Sequence, residues 1–187
     1  QLKNYGGDLA IGAYGIINSI AFTFVMIILG LTQGMQPIIG YNYGAKLQHR
    51  VLSTLKKGMI AGFVITTIGF LVAELCPRLI ASAFTNDEEM INLSITGFRL
   101  FMLAFPIVGM QIVASNFFQA IGKAKIAIFL SLTRQLLFLI PALYLIPLIL
   151  ELNGVWLSTA VADFLSAFVS LWVLVASIKK MKKEISL

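Results

Sequence analysis

Five long apolar runs constrain this chain more than any other feature of its sequence. No charged residue occurs between Asp8 and Lys46. The runs cover residues at about 9–36, 58–82, 93–120, 126–150 and 154–178. An α-helix needs about 20 apolar residues to cross a hydrocarbon core of about 30 Å, and each run is near or above that length. We therefore predict an all-α integral membrane protein with five transmembrane helices in the lipid bilayer.

The charges between the runs alternate in sign and predict the orientation. The second connection holds the acidic residues Asp87, Glu88 and Glu89 and no basic one, and the fourth holds Glu151. Ten of the 14 basic residues fall in the other connections and the tail: Lys46, Arg50, Lys56, Lys57, Lys123, Lys125, Lys179, Lys180, Lys182 and Lys183. Basic segments stay in the cytoplasm. We predict a multi-pass protein of the cell inner (plasma) membrane with Gln1 outside and Leu187 inside, which explains the net charge of +6 without a nucleic-acid partner.

The sequence offers no set of residues suited to catalysis or to a metal. The single Cys76 excludes an internal disulfide, and His49 is the only histidine. We find no phosphate-cradling glycine loop, Cys/His cluster, nucleophile–base pair or carboxylate dyad. These absences predict a protein that is not an enzyme and that needs no cofactor.

Polar residues form a stripe along the first run. At about 100° per residue, Asn18 and Gln36 fall at the same angle, with Thr32 and Gln33 close on either side. An amide that faces lipid is costly, so the stripe should face protein or a wet cavity. Hydrogen bonding between helices and a substrate-facing wall both explain it. After the stripe, Pro37 and the residues up to Gly44 predict a kink or an end of the helix.

The third run contains a second polar stripe. Gln111, Ser115 and Gln119 are spaced i, i+4, i+8, and Asn116 lies within about 60° of Gln119. Such a stripe can line a cavity for flat organic molecules, with Phe117 and Phe118 as aromatic contacts. It can equally join two helices.

Two charges lie deep in the fourth and fifth runs. At about 1.5 Å per residue, Arg134 and Asp163 each sit roughly 12–14 Å inside the core, approached from opposite faces. An unpaired charge at that depth is very unfavourable, so we predict a buried ion pair. A proton or cation relay at Asp163 and a substrate contact are the alternatives.

Two further patterns concern helix contacts. Gly58 and Gly62 form a small-xxx-small pair suited to close helix packing. Glu74 and Arg78 are four residues apart and predict an i,i+4 ion pair near the outer surface.

Three blocks of sequence resemble a known family. They are GLTQGMQPIIGYNYGAKLQHRV at 30–51, RLFMLAFPIVGMQIVASNFFQAIGKAK at 99–125, and SLTRQLLFLIPALYLIPL followed by GVWLSTAVADFLS at 131–166. In the multidrug and toxic compound extrusion (MATE) family, the first block resembles the loop that follows the second helix of each lobe. The third resembles the last two helices of the C-terminal lobe, and the second resembles the helix before them. The resemblance implies a twelve-helix transporter of two six-helix lobes, in which residues 1–187 form the C-terminal lobe without its first helix. We accordingly expect a preceding N-terminal lobe of the same transporter as a partner.

The resemblance also implies a function. Members of this family exchange organic cations and other amphipathic drugs for Na⁺ or H⁺ by alternating access. Some members carry a coupling carboxylate on the helix that matches the third run, whereas here nothing acidic occurs between Glu89 and Glu151 and Pro106 stands near that position. We therefore expect the coupling ion, Na⁺ or H⁺, to bind mainly in the N-terminal lobe. The residues we expect to line the substrate cavity are Gln33, Gln36, Gln111, Ser115 and Asn116.

Two other functions fit the sequence less well. A related flippase for lipid-linked saccharides would need several cationic residues in its cavity, and the runs offer Arg99 and Arg134. A membrane scaffold subunit without transport would not need the two polar stripes.

Overall fold

Five long helical segments build the molecule. The computed structural model describes residues 1–185, with side chains described for 1–181, so the side chains of Lys182 and Lys183 lie outside the described part. Five segments are long and apolar enough to cross a membrane: Leu2–Gly44, Gln48–Leu75, Glu88–Ala120, Ala124–Leu145 and Pro147–Met181. The prediction of an all-helical membrane protein with five spans is confirmed.

The described residues form eight α-helices, of which seven lie in these segments and one lies in the connection after the second segment. These are α1 (Leu2–Gly44), α2 (Gln48–Leu75), α3 (Pro77–Ser82), α4 (Glu88–Phe101), α5 (Phe105–Ala120), α6 (Ala124–Leu132), α7 (Ile140–Leu145) and α8 (Pro147–Ile185). A 3₁₀ turn, Met102–Ala104, joins α4 to α5, and a π-helix, Thr133–Leu139, joins α6 to α7. Non-helical backbone interrupts α1 at Gly7 and α8 at Glu151.

Several helix ends differ from the predicted ones. Helix α1 continues through Pro37 and ends at Gly44. Helix α2 begins at Gln48, so Arg50, Lys56 and Lys57 lie on helical turns and not in a loop. Long basic side chains at a helix end can reach the polar headgroup layer, so a helix can extend beyond its uncharged core.

A break at Cys76 changes the ion pairs at the opposite end of α2. Cys76 has φ −128° and ψ 39°, which is not helical. It precedes Pro77, whose ring clashes with the preceding residue when that residue is helical. The predicted Glu74–Arg78 pair is therefore wrong, because the two residues do not share a helix. Arg78 instead binds Glu88 at 2.8 Å, and Glu74 lies 3.7 Å from Arg99.

The π-helix of the fourth segment lies ahead of Pro141. Proline has no N–H for the helix ladder, and its ring presses on the carbonyl one turn earlier. A widened turn is one way in which a helix absorbs such a defect. This turn carries Arg134, so the backbone irregularity and the deep charge coincide.

Two apolar clusters form the core, one at each end of the bundle. The first joins Met35, Leu55, Phe118, Leu130 and Leu174 from all five segments. The second includes Ala73, Phe98, Phe105 and Trp156. Because the first cluster contains the ends of α1 and α5 and the starts of α2 and α6, the connections at 45–47 and 121–123 lie at the same end.

Helix α5 packs closely on α2 through glycine. A Cβ added at Gly62 would lie 3.0 Å from the carbonyl oxygen of Gly109, and one added at Gly109 would meet the backbone of Gly62. The hydroxyl of Thr66 lies 2.9 Å from the carbonyl oxygen of Pro106 on the same contact. The predicted close contact at Gly62 is thus confirmed, with Gly109 as its partner.

Candidate functional site

A polar cleft lies on the opposite side of α5, between α5 and the α6–π-helix segment. It consists of two adjoining cavities of about 410 and 280 Å³, which share Ser115, Asn116 and Ser131. The polar residues that line it are Gln111, Ser115, Asn116, Gln119, Ser131, Arg134 and Gln135. The apolar ones are Leu29, Val108, Ile112, Ala124, Ala127, Ile128 and Leu132. Polar groups thus alternate with apolar surface throughout the cleft.

Helical periodicity brings the polar side chains together. Gln111, Ser115 and Gln119 recur every four residues on α5, which places them on one face. Ser131 and Gln135 have the same spacing on the facing segment, with Arg134 between them. The cleft therefore forms where two polar faces meet.

Three of the five predicted cavity residues line this cleft: Gln111, Ser115 and Asn116. Gln36 lies beside it, with its Nε2 at 3.4 Å from the Oδ1 of Asn116. Gln33 is exposed and lines neither cavity. Its neighbour Thr32 is buried against the core, and one residue turns a helix by about 100°, so Gln33 points away.

The amides of α1 and α5 join the two helices, and those of α5 also line the cleft. Gln36 Nε2 donates to Asn116 Oδ1 at 3.4 Å and to Gln119 Oε1 at 3.5 Å, which is long for hydrogen bonds of this kind. Asn116 Nδ2 donates to the carbonyl oxygen of Ile112 at 2.9 Å. The Oε1 of Gln111 is buried without a partner among the described residues. Weakly bonded amides of this kind can exchange a protein contact for a ligand contact.

Phe117 and Phe118 do not line the cleft. Both are fully buried in the core, with ring centroids 5.6 Å apart in an edge-to-face arrangement. The expectation that they contact a ligand is wrong, because they lie on the face of α5 that packs into the bundle.

Arg134 and Asp163 meet at the edge of the cleft. Arg134 Nε donates to Asp163 Oδ1 at 2.5 Å. The side chain of Asp163 is 6% exposed and that of Arg134 37% exposed. The carboxylate is thus enclosed by protein, and the guanidinium stands between it and the cleft.

The charge of the cleft comes from this one guanidinium. Its lining residues include Arg134 and no carboxylate. Among the described residues, no group of three or more His, Cys, Asp and Glu side chains is placed to hold a metal ion. The cleft can therefore bind an amphipathic molecule through its amides, hydroxyls, one guanidinium and apolar side chains.

Sequence reasoning missed the contribution of the α6–π-helix segment. Ser131, Arg134 and Gln135 stand at i, i+3 and i+4, the spacing of one helical face. That pattern could have marked a lining face, but the fourth run suggested only a deep arginine because Ser131 and Gln135 lie among leucines.

Known proteins similar to this chain include multidrug transporters. Multidrug export protein MepA of Staphylococcus haemolyticus is 25% identical over 167 residues, which are 89% of this chain and 36% of that protein. The structure of the MATE multidrug transporter DinF-BH in complex with R6G is 35% identical, with a TM-score of 0.82 over 94% of this chain and 39% of that one. A MATE family transporter in an outward-facing conformation has a TM-score of 0.90 at 19% identity, over 97% of this chain and 41% of that one.

The chain spans well under half the length of these relatives. The MatE family profile matches residues 2–145, which is most of the chain. With five membrane-spanning helices in the described part, this multi-pass membrane protein belongs to the MatE family, whose members are transporters and not enzymes.

Proposed function

We propose that this chain forms five of the six helices of the C-terminal lobe of a two-lobe multidrug efflux transporter. The whole protein would export organic cations and other amphipathic drugs in exchange for Na⁺ or H⁺. The observation that carries the proposal is the cleft, which combines neutral polar groups with apolar surface inside a bundle of the MatE family. Pockets for drug-sized molecules likewise combine apolar surface with polar groups that orient the ligand.

The size of the cleft supports a role as one part of a larger cavity. Ligand pockets typically measure about 300–1,000 Å³; the larger part of the cleft, about 410 Å³, lies low in that range, and the smaller part, about 280 Å³, lies just below it. Transporters built from repeats place substrate near the bilayer midplane, between the two halves. A partner lobe would close the open side and complete the site.

The packing of the bundle supports alternating access by movement of whole lobes. The α2–α5 contact is made by glycines and backbone atoms, and such contacts cannot yield without separating the helices. The bundle would therefore rock as a unit against its partner, with the cleft exposed first to one side and then to the other.

The coupling ion would bind mainly outside this chain, in the N-terminal lobe. No carboxylate lines the cleft, and Asp163 is already paired with Arg134. Na⁺ prefers oxygen ligands, and a proton site needs a group that can exchange with water. The Asp163 carboxylate has oxygen atoms, but it is enclosed by protein and already accepts a hydrogen bond from Arg134, so it is poorly placed to bind either ion.

The two alternatives are supported less well. Binding of a pyrophosphate-linked saccharide favours several cationic groups, and the cleft has Arg134 alone. A scaffold without transport leaves the cleft and the MatE membership unexplained.

The orientation is a proposal of its own. The basic connections at 45–47 and 121–123 lie at one end of the bundle, which the positive-inside rule assigns to the cytoplasm of a plasma-membrane protein. A reporter fused after Lys57 or Lys125 should report cytoplasm, and one at Asn86 or Asn153 the outside. Reversed signals at two of these sites would contradict the topology.

Blocking the cleft tests the transport proposal. In the full-length protein, Ser131→Leu should fill the region that both cavities share and should lower drug resistance and dye efflux at unchanged protein level. Ser19→Leu is the matched control, because Ser19 is exposed on α1 and lines neither cavity. Efflux that survives Ser131→Leu would remove the cleft from the substrate path.

A second experiment identifies the coupling ion. In the unchanged protein, collapse of either the Na⁺ gradient or the H⁺ gradient should stop efflux, and the gradient that does so belongs to the coupling ion.

A further inference from the structure

We propose that Arg134 is an anion anchor in the cleft, which recognises the carboxylate or a similar acceptor group of an amphipathic substrate. This inference rests on the proposed transport function and names a substrate chemistry for it. The cleft that we describe takes zwitterionic drugs as well as cations, and this lobe holds the negative end of the molecule.

The bonding of the guanidinium leaves one side free. Of its three nitrogens, Nε alone donates to Asp163, and the two Nη groups have no hydrogen-bond partner among the described residues. A guanidinium presents five N–H donors in a planar fork, and its Nη pair matches a carboxylate with two parallel hydrogen bonds. Arg134 can therefore hold Asp163 on one edge and a ligand on the other.

The surroundings favour an acceptor over a cation. Arg134 lines the 280 Å³ cavity together with Gln111, Ser115, Gln135 and other neutral residues, and no carboxylate lines it. Amide N–H and hydroxyl groups can donate further hydrogen bonds to an anion. An organic cation finds no counter-charge among the residues that line this cleft, so that counter-charge must come from elsewhere in the transporter.

Asp163 acts as a positioning residue. Its side chain is 6% exposed, whereas 37% of the Arg134 side chain is exposed. The carboxylate therefore orients the guanidinium and offsets part of its desolvation cost without reaching the ligand.

Two matched dyes test the anchor. Rhodamine B carries a free carboxylate beside its cationic ring system, and its ethyl ester lacks that negative charge. We would measure binding to purified full-length transporter by fluorescence polarisation and export from proteoliposomes. The decisive variant is Arg134→Gln/Asp163→Asn, which replaces the ion pair with two amides and leaves no buried charge unpaired.

The double variant should bind the acid about tenfold more weakly and the ester within about twofold of wild type, the loss of one charge-assisted contact. Asp163→Asn alone should strengthen binding of the acid and weaken that of the ester, because it frees the positive charge. Arg78→Gln removes an exposed guanidinium far along the chain and should change neither dye.

The outcomes separate the two proposals. A double variant that treats acid and ester alike, in loss or in retention, overturns the anchor and leaves the drug cavity intact. A wild-type protein that binds neither dye overturns the drug cavity and the anchor with it.

Discussion

The two sides of α5 differ in how closely they are packed. Toward α2, Gly109 lies against Gly62 so closely that a single methyl group would strike backbone. Toward α6, Ser115 and Gln119 face open space shared with Ser131. One helix thus carries a dry, tight contact and a polar, open one within three turns.

The difference shows how a membrane bundle separates rigidity from recognition. In lipid, helices gain little from burying apolar side chains, so close backbone approach through small residues holds them together. Polar side chains are then free to serve a cavity, provided that they face protein or water and not lipid. Substitutions at tight contacts should therefore act mainly on stability, and substitutions in the cleft mainly on recognition.

The largest effect should come from the glycine contact. Gly109→Val places a branched side chain against the backbone of Gly62, and no rotamer change can relieve a clash with backbone. We expect a loss of about 3 kcal/mol or more, seen as a lower thermal unfolding midpoint and less folded protein in detergent. Gly34→Val is the matched control, because a Cβ at Gly34 meets nothing within 4 Å. Equal loss in both would show that the α2–α5 contact is not special.

Breaking the Arg134–Asp163 ion pair should give the next largest loss of stability, and the loss should depend on which partner is replaced. Arg134→Gln leaves the enclosed Asp163 carboxylate without a partner and should cost about 3 kcal/mol of stability. Asp163→Asn should cost only about 1 kcal/mol, because the guanidinium still reaches the polar cleft. The coupling energy from the double variant should be about 2 kcal/mol. Unfolding in detergent measures all three, and additive effects would mean that the contact contributes nothing.

The glycine contact and the ion pair also show how much of the structure can be predicted from the sequence. The length of the apolar runs predicts the five helices, and depth along them draws attention to Arg134 and Asp163, which the structure joins. Gly62 carries its own indication of close packing. These features depend on the type of residue and on its depth in the membrane. Both can be read from the sequence, because depth follows from the position along an apolar run.

What the sequence does not contain is the rotation of each helix about its axis. Phe117 and Phe118 lie beside Asn116 in sequence, yet they pack into the core while Asn116 lines the cleft. Gln33 points away although Gln36 reaches Asn116. Ser131 and Gln135 line the cleft because the π-helix and the contacts of α6 set their direction. Such choices follow from packing among all five segments.

A smaller and selective effect should come from the amides of the cleft. Asn116→Ala removes a group that a ligand can use, at about 0.5–1.5 kcal/mol for a drug that bonds to it and almost nothing for one that does not. Resistance to a drug panel, normalised to protein in the membrane, should therefore change for some drugs only. Asn86→Ala is the control, since Asn86 is exposed in the connection between α3 and α4 and lines neither cavity. A parallel loss for every drug that follows protein level would assign Asn116 to helix joining alone.

The smallest effect should come from the second arginine–carboxylate pair, which has the same chemistry in a different place. Arg78 Nη2 lies 2.8 Å from a Glu88 oxygen, but the two side chains are 63% and 67% exposed. Water and ions screen a pair in that position, and ordering two long side chains offsets most of the attraction. Arg78→Gln should therefore lower stability by no more than about 0.5 kcal/mol, and added salt should erase even that. Thermal unfolding of this variant beside Arg134→Gln, at low and high salt, measures the contrast. If Arg78→Gln cost as much as Arg134→Gln, enclosure within the bundle would not be what makes the Arg134–Asp163 pair important, and the asymmetry predicted for that pair would lose its physical basis.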